Sequence, residues 1–154
     1  MTAMTIFFSK LLATFFYVGY LPFAPGSMAT ALGVALVYYF SQHMASYCFV
    51  FLFLSISGFY VCGKMEEIAQ KKDPSCVVLD EVAGTMIAFF LLPMTPSVMI
   101  TAFFIFRAFD MFKIYPAFQL EKLGGGRGIM LDDIVAGLYT NVVMHAALQL
   151  KAFF

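Results

Sequence analysis

Between Lys10 and Lys64 the chain carries no Asp, Glu, Lys or Arg, a run of 53 residues (11–63) without a formal charge. A domain of 154 residues has no interior large enough to hide such a run from water. The rest of the composition agrees. Hydrophobic residues make up 62% and charged residues 12%, about half the roughly 25% charged content of ordinary globular domains. The solvent implied by this pattern is a bilayer.

Net charge is zero, so nothing draws the chain to nucleic acid. The placement of the charges says more than their sum. Sixteen of the eighteen fall in two windows, 64–81 and 107–133, with only Lys10 and Lys151 outside. Three cysteines, Cys48, Cys62 and Cys76, show no CxxC spacing. Neither a disulfide nor a zinc site is expected of them. The N-terminus lacks a basic stretch before its apolar run and reads as a first membrane segment, not a cleaved leader.

Apolar runs and their breakers divide the chain into about six helices, an all-α, polytopic membrane architecture in a single domain, 1–154. Segment 1 covers 4–20 and is broken by the proline-glycine stretch 20–27 (YLPFAPGS). Segment 2 covers 27–40, with Ser27 placed to cap it. Segment 3, 44–63, is the clearest span. A short surface helix is expected over 64–72, ended by Asp73-Pro74. Segment 4 covers 80–92, segment 5 covers 97–112 and segment 6 covers 131–150. A loop over 114–128 contains Pro116 and the run GGGRG.

If every segment crosses, the loops 20–27, 64–79 and 113–130 share one face. Lys64, Lys71, Lys72, Lys113, Lys122 and Arg127 lie there, which makes that face cytoplasmic. It also gathers the acidic pairs Asp80–Glu81 and Asp132–Asp133 at the mouths of two helices. Capping of those helix starts is one reading. The other is a shared divalent cation, because Mg²⁺ takes carboxylate oxygens and keeps positions for a substrate phosphate. Neighbours on a helix point about 100° apart, so one member of each pair is expected to face the site while the other caps. Gly84 follows Glu81 by three residues, and Ala136 and Gly137 follow Asp133 by three and four. Small residues there let two helices approach closely.

Arg107, Asp110 and Lys113 recur at the end of segment 5. They read either as an intrahelical pair with a snorkelling lysine or as phosphate contacts with a further metal ligand or base. The GGGRG run is either a flexible loop or a backbone anion nest beside Arg127. His43 and His145 lie away from the acidic pairs, which argues against a histidine nucleophile.

Four stretches resemble one family, the bacterial phosphatidylglycerophosphatase A family. They are LPFAPGS at 21–27, DEVAG at 80–84, FRAFDMFK at 106–113 with Pro116, and GGRGIMLDDIVAG at 125–137, in the family's order. The family usually has threonine where this chain has Ser27, so a hydroxyl is kept. The resemblance implies Mg²⁺-dependent removal of the terminal phosphate from phosphatidylglycerophosphate, giving phosphatidylglycerol at the bacterial inner membrane. Catalytic and metal-binding roles then fall to Asp80, Glu81, Asp110, Asp132 and Asp133, and substrate contacts to Ser27, Arg107, Lys113 and Arg127. Direct attack by water and an aspartyl-phosphate intermediate are both compatible with these residues. The motifs of histidine-nucleophile, haloacid-dehalogenase and CDP-alcohol enzymes are absent. The alternative of another class is a small transporter or channel subunit with acidic residues at its helix mouths.

Overall fold

The computed structural model describes residues 2–153. Among them it holds seven α-helices and no strand, in the order α1 (Ala3–Ala13), α2 (Pro25–Phe40), α3 (Met44–Ala69), α4 (Leu79–Ala88), α5 (Pro96–Phe112), α6 (Ala117–Leu120) and α7 (Gly126–Phe153). A single 3-10 turn, Val18–Tyr20, lies between α1 and α2. The all-helical expectation holds. The count is seven, not six, because a one-turn helix sits in what reads as a loop after segment 5.

Segment 1 is not one helix. It stops at Ala13, and Phe15, Phe16 and Tyr17 adopt left-handed backbone conformations. Eleven helical residues rise about 16 Å, half of a hydrocarbon core of about 30 Å. Segments 3 and the expected surface helix are, conversely, one element. Lys64–Glu67 form an ion pair one turn apart at 2.7 Å on the surface of α3, and charges with good helix propensity do not end a helix. The end comes at Gln70, left-handed at φ 50°. α3 is the one helix of the described chain that is long and apolar enough to cross a membrane.

Two helix starts also differ from expectation. α2 begins at Pro25 behind a left-handed Ala24, so Ser27 lies inside the first turn and caps nothing. α7 begins at Gly126, inside the glycine run. Asp132 and Asp133 are therefore more than a turn into a helix, not at its mouth. Gly126 is there for packing: a Cβ on it would run into the Phe59 carbonyl of α3. Tertiary contact thus overrides glycine's poor helix propensity.

α4 is the centre of the molecule. It contacts α2, α3, α5 and α7, and Leu79, Val82, Ala83, Met86 and Ala88 are wholly buried. α7 crosses it at Gly84 and Gly137. A Cβ on Gly84 would stand 2.7 Å from the Asp133 carbonyl, and one on Gly137 would strike the Gly84 carbonyl. The expected close approach of two small-residue faces is the contact that holds these helices together.

Candidate active site

A pocket of about 400 Å³ opens at the N-terminal end of α4. Its walls come from the stretch Ala24–Ser27, from Asp73, Ser75 and Val77 before α4, from the end of α5, and from α7. The loops after segments 1 and 3 thus meet the end of α5 and the first turns of α7, the gathering expected if every segment crosses. The pocket holds six carboxyl groups, Asp73, Asp80, Glu81, Asp110, Asp132 and Asp133, against two cations, Arg107 and Lys113.

Asp80 and Glu81 stand in the first turn of α4 and Asp133 in α7. One carboxylate oxygen from each lies within 4.8 Å of the others. The crossing at Gly84 and Gly137 makes this possible, because nothing thicker than backbone separates the two helices. Asp80 Oδ1, Glu81 Oε2 and Asp133 Oδ2 are buried without a hydrogen-bond partner. An unpaired buried carboxylate oxygen is costly, and three together are costlier still because like charges repel. The donor set consists of hard oxygens and suits a hard divalent cation.

The pairs behave differently from each other. Both Asp80 and Glu81 enter the cluster, where one of them is expected to cap instead. In the second pair only Asp133 enters. Asp132 is occupied: its Oδ2 accepts from Lys113 Nζ at 2.7 Å, and its Oδ1 accepts from the Asp133 backbone N–H at 3.0 Å.

Arg107 and Lys113 hold the remaining acids. Arg107 Nη1 lies 2.5 Å from Asp110 Oδ2 and 3.8 Å from Glu81 Oε1. The expected intrahelical pair is therefore present, and it reaches the acidic cluster as well. Lys113 bridges Asp132 and Glu121, the latter at 3.1 Å. Burial works against its charge, but the hydrogen bonds and charges of Asp132 and Glu121 outweigh that, and its pKa is raised above the ordinary lysine value. Gly26 fits between these groups and the loop. A Cβ there would strike Glu81 Oε1 and stand 3.2 Å from the Arg107 guanidinium. Ser27 lines the same pocket.

Arg127 is not part of this constellation. It is exposed and lines a separate groove with Ile56, Phe59, Tyr60 and Leu131. The amide of Gly125 meets Glu66 Oε1 at 3.4 Å, so an acidic side chain faces the glycine run where an anion was expected. His145 lies at the opposite end of α4, 3.2 Å from the Phe90 carbonyl.

Sequence reasoning passed over Asp73 and Glu121. Asp73 reads as half of an Asp-Pro helix stop, and its raised pKa comes from burial first, then from Glu121, Asp110 and Glu66, with Lys113 acting against them. Glu121 carries no local signal. Its place follows from the tight turns of the 114–123 stretch.

Residues 11–148 match the family model for Phosphatidylglycerophosphatase A. Phosphatidylglycerophosphatase A of Escherichia coli is 31% identical over 138 residues, covering 88% of this chain and 80% of that protein. The Haemophilus influenzae protein of the same name is 33% identical over 140 residues, covering 88% and 86%. A Bacteroides thetaiotaomicron protein, provisionally described as a phosphatidylinositol-3-phosphatase, is 31% identical over 150 residues, covering 92% and 94%. No solved structure is significantly similar. With nearly its whole length matched, and with the acidic pocket built from the matched residues, the chain belongs to the phosphatidylglycerophosphatase A family and with it to the phospholipid phosphatases.

Proposed function

We propose that the protein hydrolyses the terminal phosphate monoester of phosphatidylglycerophosphate, with Mg²⁺ held by Asp80, Glu81 and Asp133. The observation that carries the reading is that Asp80, Glu81 and Asp133 each bring a carboxylate oxygen within 4.8 Å of the others, and each bury one oxygen without a hydrogen-bond partner. A pocket with six acids and two bases repels a phosphate dianion. A divalent cation at the cluster removes that conflict.

When bound, the metal would supply Lewis-acid polarisation of the phosphoryl oxygens and a more acidic water. The chain's own residues do the rest. Arg107 and Lys113, held at the pocket wall by Asp110 and Asp132, neutralise charge that builds on the transferring phosphoryl group. The Ser27 hydroxyl offers a neutral donor to the same oxygens. Water attacks phosphorus, the bond to the glycerol oxygen breaks, and a carboxylate of the pocket takes the proton that the water gives up.

The surface supports a multi-pass membrane setting. Phe49, Ile56, Ile100, Phe104, Val142 and Leu150 each leave 60% or more of their area exposed. A water-soluble monomer does not carry so much bare apolar surface on several helices. We place the pocket at the cytoplasmic face of a bacterial inner membrane, on the basic residues of the loops around it. A membrane-impermeant thiol reagent should then reach Cys76 from the cytoplasmic side alone, and labelling from outside would reverse the orientation.

The Bacteroides relative favours a second reading, in which the phosphate sits on an inositol ring. Purified protein in detergent, given phosphatidylglycerophosphate or phosphatidylinositol 3-phosphate in parallel, separates the two. The expected result is phosphate release from the first with Mg²⁺, and none with EDTA. Release from the inositol lipid alone would replace the first reading with the second. Undiminished release in EDTA would remove the metal from either.

A further inference from the structure

The six carboxyl groups of the pocket divide into three kinds. Asp80, Glu81 and Asp133 form the cluster. Asp110 and Asp132 are tied to Arg107 and Lys113 at 2.5 and 2.7 Å. Asp73 is left over. Among the described residues it enters no ion pair within 4 Å and accepts no side-chain hydrogen bond, and yet it lines the pocket. The chain just after it is tied down. Asp73 has a left-handed backbone, φ 44°, which Asp tolerates better than most residues. Pro74 is buried behind it, the Val77 N–H donates to the Pro74 carbonyl at 2.8 Å, and the Val78 N–H donates to the Ala13 carbonyl at 2.9 Å.

Phosphate monoester hydrolysis sets a need that neither the cluster nor the paired acids meets. The leaving glycerol oxygen departs as a strongly basic alkoxide unless a proton reaches it as the bond breaks. We propose that Asp73 is the acid that delivers this proton, an inference that rests on the phosphomonoesterase reading above. In the step, the attacking water oxygen forms the new bond to phosphorus. The electron pair of the breaking phosphorus–oxygen bond goes to the glycerol oxygen, which takes the Asp73 proton. The Asp73 carboxylate then recovers a proton from solvent, matching the one released by the attacking water.

The surroundings suit a proton donor. Asp110 and Lys113 face Asp73 from the end of α5, Glu121 from the turn after α6 and Glu66 from α3, while Asp80, Glu81, Asp132, Asp133 and Arg107 share its pocket. Burial and the acidic neighbours favour its protonated form, and the charge of Lys113 works against them. An acid of this kind works below its pKa and fails as pH rises through it, so its raised pKa extends activity toward neutral pH.

The test uses two lipids that differ in one atom: phosphatidylglycerophosphate, and its analogue with sulfur in place of the bridging oxygen. A thiolate leaves without protonation. Asp73→Asn should lose about 100-fold in kcat on the oxygen ester and less than about threefold on the sulfur ester. Equal loss on both, or loss on neither, overturns the assignment. Wild-type protein gives an answer with no variant at all: the fall in kcat at high pH should be present for the oxygen ester and reduced for the sulfur ester, and superimposable profiles would also overturn it. If wild-type protein cleaves neither ester, the fault lies with the phosphomonoesterase reading and not with Asp73 alone.

Discussion

At the C-terminal end of α4, polar atoms are closed off one by one. The Tyr47 hydroxyl donates to the Met86 carbonyl, and Asn141 Nδ2 donates to the carbonyls of Ala88 at 3.3 Å and Phe90 at 2.8 Å. At the N-terminal end of the same helix, about 15 Å away by helical rise, three carboxylate oxygens are buried with no partner. Both ends carry wholly buried side chains, Leu79 and Val82 at one and Met86 and Ala88 at the other, so poor packing does not explain the difference. One end is built for stability alone. The other end stores an electrostatic deficit that a cation can discharge, the usual pattern where function opposes stability.

The strongest way to break this comparison is Asp133→Asn. Phosphate release should fall by about 1000-fold, while the melting temperature of metal-free protein in detergent stays level or rises, because a buried repulsion is relieved. Mg²⁺ should raise the melting temperature of the wild type, by about 2.7 kcal/mol of stabilisation at a hundred times its Kd, and leave the variant unmoved. A large fall in metal-free stability would show that Asp133 is a structural group and erase the contrast.

Gly26→Ala is expected next. The added methyl has to displace Glu81 Oε1 or the Arg107 guanidinium, and a shift of about 1 Å at a catalytic group costs about 100-fold. Activity within twofold of wild type would mean that the loop yields and does not position the pair.

At the quiet end the sign should invert. Asn141→Leu leaves the Ala88 carbonyl without a side-chain donor and the Phe90 carbonyl with His145 as its one side-chain neighbour, and should cost about 1–3 kcal/mol of stability, read as a lower melting temperature, with kcat unchanged. A matching loss of kcat would mean that the two ends are coupled. The smallest effect is expected from Arg127→Gln, which lies outside the pocket. Turnover in mixed micelles should stay within about twofold, as for surface substitutions away from special features; a tenfold loss would bring Arg127 back to the substrate.

How much of this was legible from residues alone depended on range. The gathering of Ala24–Ser27, Asp80–Glu81 and Arg107–Lys113 followed from counting crossings, although α1 and α4 prove too short to cross as single straight helices. The helix contact at Gly84 and Gly137 was visible as small residues in register with Glu81 and Asp133. Local cues misled where tertiary contact outweighed them. The onset of charge at Lys64 looked like the end of a span, yet α3 runs on to Ala69. The GGGRG run looked like a loop, yet Gly126 is needed against Phe59 and helix begins there. Asp73 could not be told from a helix stop, because its proposed role depends on five other carboxyl groups brought together from three separate stretches of chain.

The crossing of α4 and α7 also sets a time in the making of the protein. Chains emerge N-terminus first, so Gly26, Asp80, Glu81, Arg107 and Lys113 all exist before Asp133 has been synthesised. Until α7 lies against Gly84, the third oxygen is missing and Lys113 lacks Asp132. On the proposed mechanism, a chain without α7 lacks both the third metal ligand and the acid that holds Lys113, so the last helix to arrive completes the site.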